Sequence, residues 1–156
     1  MSASDLEDLY RDILLDHYRR PRNRGKVPGV ASCAADGSNP LCGDQLSLEL
    51  TLADGRIAEI AFDGNGCSIS QASASMMTEY VKGRTVEEAH AGVDAFQRMM
   101  IEGEAVGEEY GDIEALVGVA KFPVRVKCAS LAWKTLAQAL SEGGARVPVT
   151  TDERSQ

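Results

Sequence analysis

The stretch 45-QLSLELTLADGRIAEIAF-62 decides the fold. Leu46, Leu48, Leu50 and Leu52 fall at every second position, so a strand here carries four leucines on one face and Gln45, Ser47, Glu49 and Thr51 on the other. Asp54-Gly55 supplies the turn chemistry of a tight hairpin, and 56-RIAEIAF-62 reads as the returning strand. The expectation is an antiparallel sheet with one buried face. Upstream, a short, weaker strand is expected near 30-VASCAA-35.

Working outward, the periodicity changes from two to that of a helix. Leu6, Leu9, Tyr10, Ile13, Leu14 and Tyr18 form one apolar stripe over residues 4–19, with Ser4 and Glu7 as a capping box and Pro21 closing the run. After 63-DGNGCSIS-70, Ser68 or Ser70 is placed to cap a helix whose inner face uses Ala72, Met76, Met77, Tyr80 and Val81, and which ends at Gly83. Thr85 and Glu88 make a second capping box for 86-VEEAHAGVDAFQRMM-100, with Ala89, Val93, Phe96 and Met100 in register. The acidic, glycine-broken 101-IEGEAVGEEYG-111 reads as an exposed loop, 112-DIEALVGV-119 as a short helix, and Pro123 as the first turn of a last helix to about Leu140. The polar residues 141–156 are expected to form a flexible tail. Strands first and helices later make one α+β domain over residues 1–140, a sheet of about three strands packed against helices.

The 156 residues, 44% apolar and 26% charged, suit one soluble domain with a real core. Aromatics at 5% leave that core to aliphatic side chains, Ala and Met. With 24 acids against 16 bases the net charge is −8, which argues against nucleic acid as a partner. The basic cluster 19-RRPRNRGK-26 runs against this trend and reads either as a solvated loop or as a docking patch for an acidic partner. The acidic start MSASDLEDLY lacks a signal-peptide pattern, and no apolar run approaches the roughly 20 residues of a membrane helix. A cytoplasmic protein with reduced cysteines and no membrane partner is expected.

The four cysteines, 33, 42, 67 and 128, therefore point to a metal site or to thiol chemistry rather than to disulfide staples. Cys42 sits in a turn between Pro40 and Gly43, Cys67 directly before a helix, and Cys128 in the first turns of the last helix. Thiols near helix starts feel the positive end of the macrodipole, which favours the thiolate. Three such thiols can converge at one edge of a small domain, with Asp44 as a fourth donor and Gly43 allowing the sharp bend between the two ligands. The competing reading makes each cysteine a small buried hydrophobe. There is no CxxC pair, and spacing alone does not decide between the two. Cys33 has no helix end, glycine or acid beside it and reads as a plain core or surface thiol. His17 and His90 read as solvated histidines, and the Met76/Met77 and Met99/Met100 pairs as helix packing.

The runs 15-LDHYRRPRNRG-25, 39-NPLCGD-44, 63-DGNGCSISQASASMM-77 and 120-AKFPVRVKCASLAWKTL-136 resemble the SufU family, zinc-containing sulfur acceptors of the SUF iron–sulfur assembly system related to the IscU/NifU scaffolds. Four motifs in the same order cover about residues 5–140. The resemblance implies a SufE/NifU-type (IscU-like) fold and a zinc ion held by Cys42, Asp44, Cys67 and Cys128. It also implies that Cys42 accepts persulfide sulfur from a SufS-type cysteine desulfurase, a pyridoxal-phosphate enzyme that donates a histidine to the zinc and frees that cysteine. Arg125, from the KFPVRVKC run, is the implied helper in sulfur transfer. On this reading the chain is a co-substrate and activator of the desulfurase rather than a stand-alone enzyme, and it feeds a downstream iron–sulfur assembly complex. IscU-type scaffolds carry histidine directly before the last cysteine, whereas this chain has Lys127. A lysine ammonium is not a metal ligand at neutral pH, which favours sulfur relay over a scaffold that binds an iron–sulfur cluster. A zinc-stabilised interaction module without sulfur chemistry is the remaining alternative.

Overall fold

The computed structural model of the chain describes residues 3–142 and 148–150, with side-chain surroundings given for residues 5–141. The helix α1 (Ala3–Arg19) is followed by strands β1 (Cys33–Asn39), β2 (Asp44–Ala53) and β3 (Arg56–Asn65). Helices α2 (Ser68–Val81) and α3 (Val86–Glu102), a 3-10 segment (Glu108–Lys121), helix α4 (Pro123–Glu142) and a short strand β4 (Pro148–Thr150) complete the order. The sheet runs β3-β2-β1-β4.

The hairpin forms where the leucine alternation places it. Asp54 and Gly55 both adopt left-handed conformations, with φ of 53° and 75°, matching the twist that two-residue hairpin turns require. Leu46, Leu48 and Leu50 are buried on the inner face. In β3 the apolar positions are Ile57, Ile60 and Phe62, a spacing of three and then two, because a bulge opposite Thr51 and Leu52 shifts the register. The strand expected at 30–35 instead begins at Cys33 and runs to Asn39, where pairing with β2 fixes it (Cys33↔Leu50 to Asn39↔Asp44). The outer edge of β3 is covered by the loop after α1, through Gly25 N–H to Phe62 O at 2.8 Å and Phe62 N–H to Asn23 O at 3.0 Å.

The helices cover one face of the sheet. Helix α4 crosses β1 so closely that a Cβ on Gly37 would run into Thr135 Oγ1 and Leu131. Trp133 of α4 is fully buried, stacked on Phe96 with ring centroids 4.9 Å apart, and its indole N–H donates to Ser73 Oγ at 3.1 Å. The Thr85/Glu88 capping box starts α3 as expected, and Met76, Met77, Met99 and Met100 are all buried packing residues.

Several expectations need correction. The cap of α2 is Cys67 itself, whose sulfur accepts from Ser70 N–H at 3.5 Å, rather than Ser68 or Ser70. The exposed loop is shorter than 101–111, because α3 continues to Glu102 and the 3-10 segment begins at Glu108, kinked at Gly111. Helix α4 reaches Glu142, and Pro148–Thr150 pair in parallel with Asp36–Ser38, so part of the expected tail is ordered into the sheet. The Ser4 cap falls on a side chain outside those described. His90 is exposed as expected, but His17 is fully buried. Its Nδ1 lies 2.7 Å from Ser75 Oγ and its Nε2 2.8 Å from Asp112 Oδ2, so it joins α1 to α2 and to the 3-10 segment. A small-residue face of α2 lets the imidazole in, and these two partners satisfy it there.

Candidate metal centre

The site is assembled from three element ends. The β1–β2 turn closes with Cys42 N–H donating to Asn39 O at 3.2 Å, and Gly43 takes φ of 69°, a left-handed bend between Cys42 and Asp44. Asp44 begins β2 and is 1% exposed. Its Oδ1 accepts from Cys67 N–H at 2.9 Å, an unpaired amide at the start of α2. Gly66 makes this approach possible, since a Cβ there would stand 2.7 Å from Asp44 Oδ1. Cys128 is buried in the second turn of α4, with its sulfur 3.2 Å from that of Cys42.

The donor atoms of Cys42, Asp44 and Cys128 all lie within 4.8 Å of one another. Cys67, held by its capping bond, lines the same cavity of about 490 Å³ with Cys42, Cys128 and Arg125. Burial, then the hydrogen bond to Cys42 and the nearby Cys67 and Asp44, push the Cys128 thiol far above its ordinary range. These groups cannot share negative charge in so small a volume unless a cation compensates it. Three thiols and a carboxylate are a donor set that suits zinc, whose thiolate ligands stand about 3.8 Å apart in a tetrahedron with bonds near 2.3 Å. Cys42, Asp44 and Cys128 fit such an ion as they stand, while Cys67 lines the same cavity with its sulfur outside that group of three.

Cys42 is part-exposed, whereas Cys128 and Asp44 are buried. Arg125 is exposed on the cavity wall, one helical turn before Cys128, beside Phe122 and Val124. Cys33 lies in the hydrophobic core, away from the cavity, and burial raises its thiol above the ordinary value. One buried neighbour escaped the sequence reading. Asn39 is fully buried and its amide nitrogen lies 3.7 Å from Cys128 Sγ and 3.5 Å from Asp44 Oδ2. An asparagine at a turn is ordinarily a backbone-bonding residue, so only its place opposite Asp44 in the strand pairing could have flagged it.

A second group of metal-capable side chains, His17, Glu79 and Asp112, is already engaged. Besides the two bonds of His17, Arg22 stands 3.5 Å from Glu79 and supplies the positive charge there. The basic run is likewise paired within the chain, Arg20 and Arg22 with Asp16 and Arg24 with Asp63, which answers for much of its charge locally.

Residues 9–147 match the family model described as the NifU-like N terminal domain. The chain belongs to the NifU-like N-terminal domain family. Within it, the chain is 47% identical over 150 residues to the zinc-dependent sulfurtransferase SufU of Bacillus subtilis, covering 90% of this chain and 97% of that one. It is 45% identical to the iron–sulfur cluster assembly scaffold protein IscU of Streptococcus pyogenes, covering 90% and 87%. Among solved structures, the N-terminal NifU-like protein of Brucella abortus superposes with a TM-score of 0.79 at 25% identity, covering 87% of this chain and 94% of that one. FiSufU of Fervidobacterium islandicum, described as a candidate SUF-system assembly scaffold, superposes with a TM-score of 0.76 at 35% identity, covering 83% and 94%. The resemblance to SufU and the expected α+β NifU-like fold are both borne out.

Proposed function

We propose that this iron–sulfur cluster assembly protein is a sulfur acceptor, taking persulfide sulfur on Cys42 from a SufS-type cysteine desulfurase and passing it to a downstream assembly complex. The observation that carries this reading is the unequal setting of the thiols: Cys128 is buried, Cys67 is part-exposed but its sulfur is engaged by Ser70 N–H, and Cys42 is part-exposed on a turn facing the open cavity. Cys42, Asp44, Cys67 and Cys128 would hold zinc, which when bound keeps thiols deprotonated at neutral pH without oxidising them.

The chain's own residues then divide the work. The Cys42 thiolate attacks the terminal sulfur of the partner's persulfide, a new S–S bond forms on Cys42, and the old one breaks with its electron pair on the partner's cysteine. Sulfur changes hands with no net oxidation. Arg125 would stabilise that leaving thiolate, a role supported by its exposure on the cavity wall. Phe122 and Val124 line the opening and are 55 and 58% exposed, and Leu41, next to Cys42 in the chain, is 56% exposed; these apolar side chains suit a protein partner that must exclude water from the exchange.

The scaffold reading has support in the similarity to IscU, but the ammonium of Lys127 stands where a scaffold has a histidine ligand. A desulfurase assay with cysteine as substrate separates the readings. The wild-type chain raises turnover and Cys42→Ala does not; equal stimulation by both refutes the acceptor role. Metal analysis of the purified chain is expected to return about one zinc per chain, colourless, and a stable brown holoprotein would favour the scaffold.

A further inference from the structure

The buried carboxamide of Asn39 has no part in the sulfur chemistry described above, yet it faces two of the residues that would hold the metal. It closes the β1–β2 hairpin as the pairing partner of Asp44. Its backbone carbonyl accepts from Cys42 N–H, and its side chain reaches across to α4. A single residue thereby touches Cys42 through the backbone and Asp44 and Cys128 through the side chain.

We propose that Asn39 is a positioning residue of the metal centre, its Nδ2 group donating to Cys128 Sγ and Asp44 Oδ2 and so holding these two as fixed ligands. The inference rests on the four-ligand centre of the proposed function, not on the sulfur relay. The orientation follows from charge. A ligating thiolate and a carboxylate are acceptors only, and a primary amide nitrogen offers two hydrogens, one for each. Rotating the amide by half a turn would aim its oxygen at both negative groups. The amine-inward orientation holds although Oδ1 is buried with no hydrogen-bond partner, so the contacts at Nδ2 anchor the group. The distances of 3.7 and 3.5 Å leave room for both contacts to shorten when the ligands draw together.

An N–H donor draws electron density from a thiolate and fixes its direction, and such outer-sphere partners typically govern metal affinity by about 10–100-fold. Among the described residues, the hydrogen bond that reaches Cys42 Sγ comes from Cys128, which would lose that proton on ligation. The asymmetry leaves Cys42 the least restrained of the three sulfurs.

The test uses the full chain loaded with cadmium-113, a spectroscopic stand-in for zinc. One Nδ2 proton of Asn39 is expected to show scalar coupling to the metal through the Cys128 sulfur. Alongside it, Asn39→Ala and Asn39→Asp should weaken zinc roughly 10–100-fold in chelator competition. Both variants should also shift the sulfur-to-metal charge-transfer band of the cobalt-substituted chain. A chain that binds one ion per molecule with no coupling at Asn39, or variants that lower only the melting temperature of the metal-free chain, would overturn the inference and leave the metal centre standing. A chain that binds no metal refutes the centre and this inference together. The coupling is read on the unaltered protein, so a variant that fails to fold does not remove the test.

Discussion

Substituting Gly66 by alanine separates the site from the fold that carries it. The added Cβ would stand 2.7 Å from Asp44 Oδ1 and 3.1 Å from Ser70 Oγ, where ordinary contact begins at 3.4 Å. Gly66 is not among the glycines with positive φ, so the backbone itself tolerates the change. The strain therefore falls on the Asp44 carboxylate, which must retreat by roughly 0.7 Å, against a tolerance of about 0.2 Å for a metal–ligand distance. Its bond from Cys67 N–H, now 2.9 Å, lengthens at the same time; a hydrogen bond to a charged group is worth about 1.5–3 kcal/mol. Displacing one ligand by more than that tolerance is expected to cost roughly 10–100-fold in zinc affinity, measured by competition with a chromophoric chelator. The hydrophobic core beneath is untouched, so the metal-free melting temperature should fall only by what the weakened bond contributes, at most roughly 3–12 °C. Unchanged zinc affinity, or a metal-free chain that no longer folds, would refute this reasoning.

Gly64→Ala is expected to behave in the opposite way, because its φ of 144° belongs to glycine and the new Cβ would strike the backbone carbonyl of Gln45. Urea unfolding should show a loss of at least about 2 kcal/mol whether or not metal is present. Trp133→Ala removes a fully buried ring stacked on Phe96 and should cost about 3–5 kcal/mol in the same measurement. Thr85→Ala removes the cap of α3, at a cost of about 1 kcal/mol. Hydrogen bonds from Thr85 hold the Glu88 carboxyl below its ordinary value of 4.5, so its contribution is complete above that value and disappears as pH falls through the lower native one. Melting curves against pH should show Glu88→Gln lacking that acid-side loss. In thiol alkylation of the native chain, the part-exposed Cys42 and Cys67 should react first and Cys33, buried with a raised thiol, only after denaturation.

The local elements follow from short-range physics. The leucine alternation and Asp54-Gly55 make the hairpin, Thr85 and Glu88 cap α3, and Pro123 starts α4, because each depends on neighbours a few residues apart. The glycine beside Cys42 and the helix start beside Cys67 were legible for the same reason, and the motif order carried the family resemblance. Tertiary structure alone decided the rest. Cys42 and Cys128 meet across 86 residues because α4 crosses β1 over Gly37, a contact that no local pattern announces. The bulge beside Thr51 broke the period of β3, and the pairing of Pro148–Thr150 with β1 needed the sheet edge to exist first. The sequence marks His17 as a solvated residue and leaves Asn39 unremarked, because polar side chains are ordinarily solvated. Each is buried where distant elements supply its partners, and those partners become neighbours only when the chain has folded.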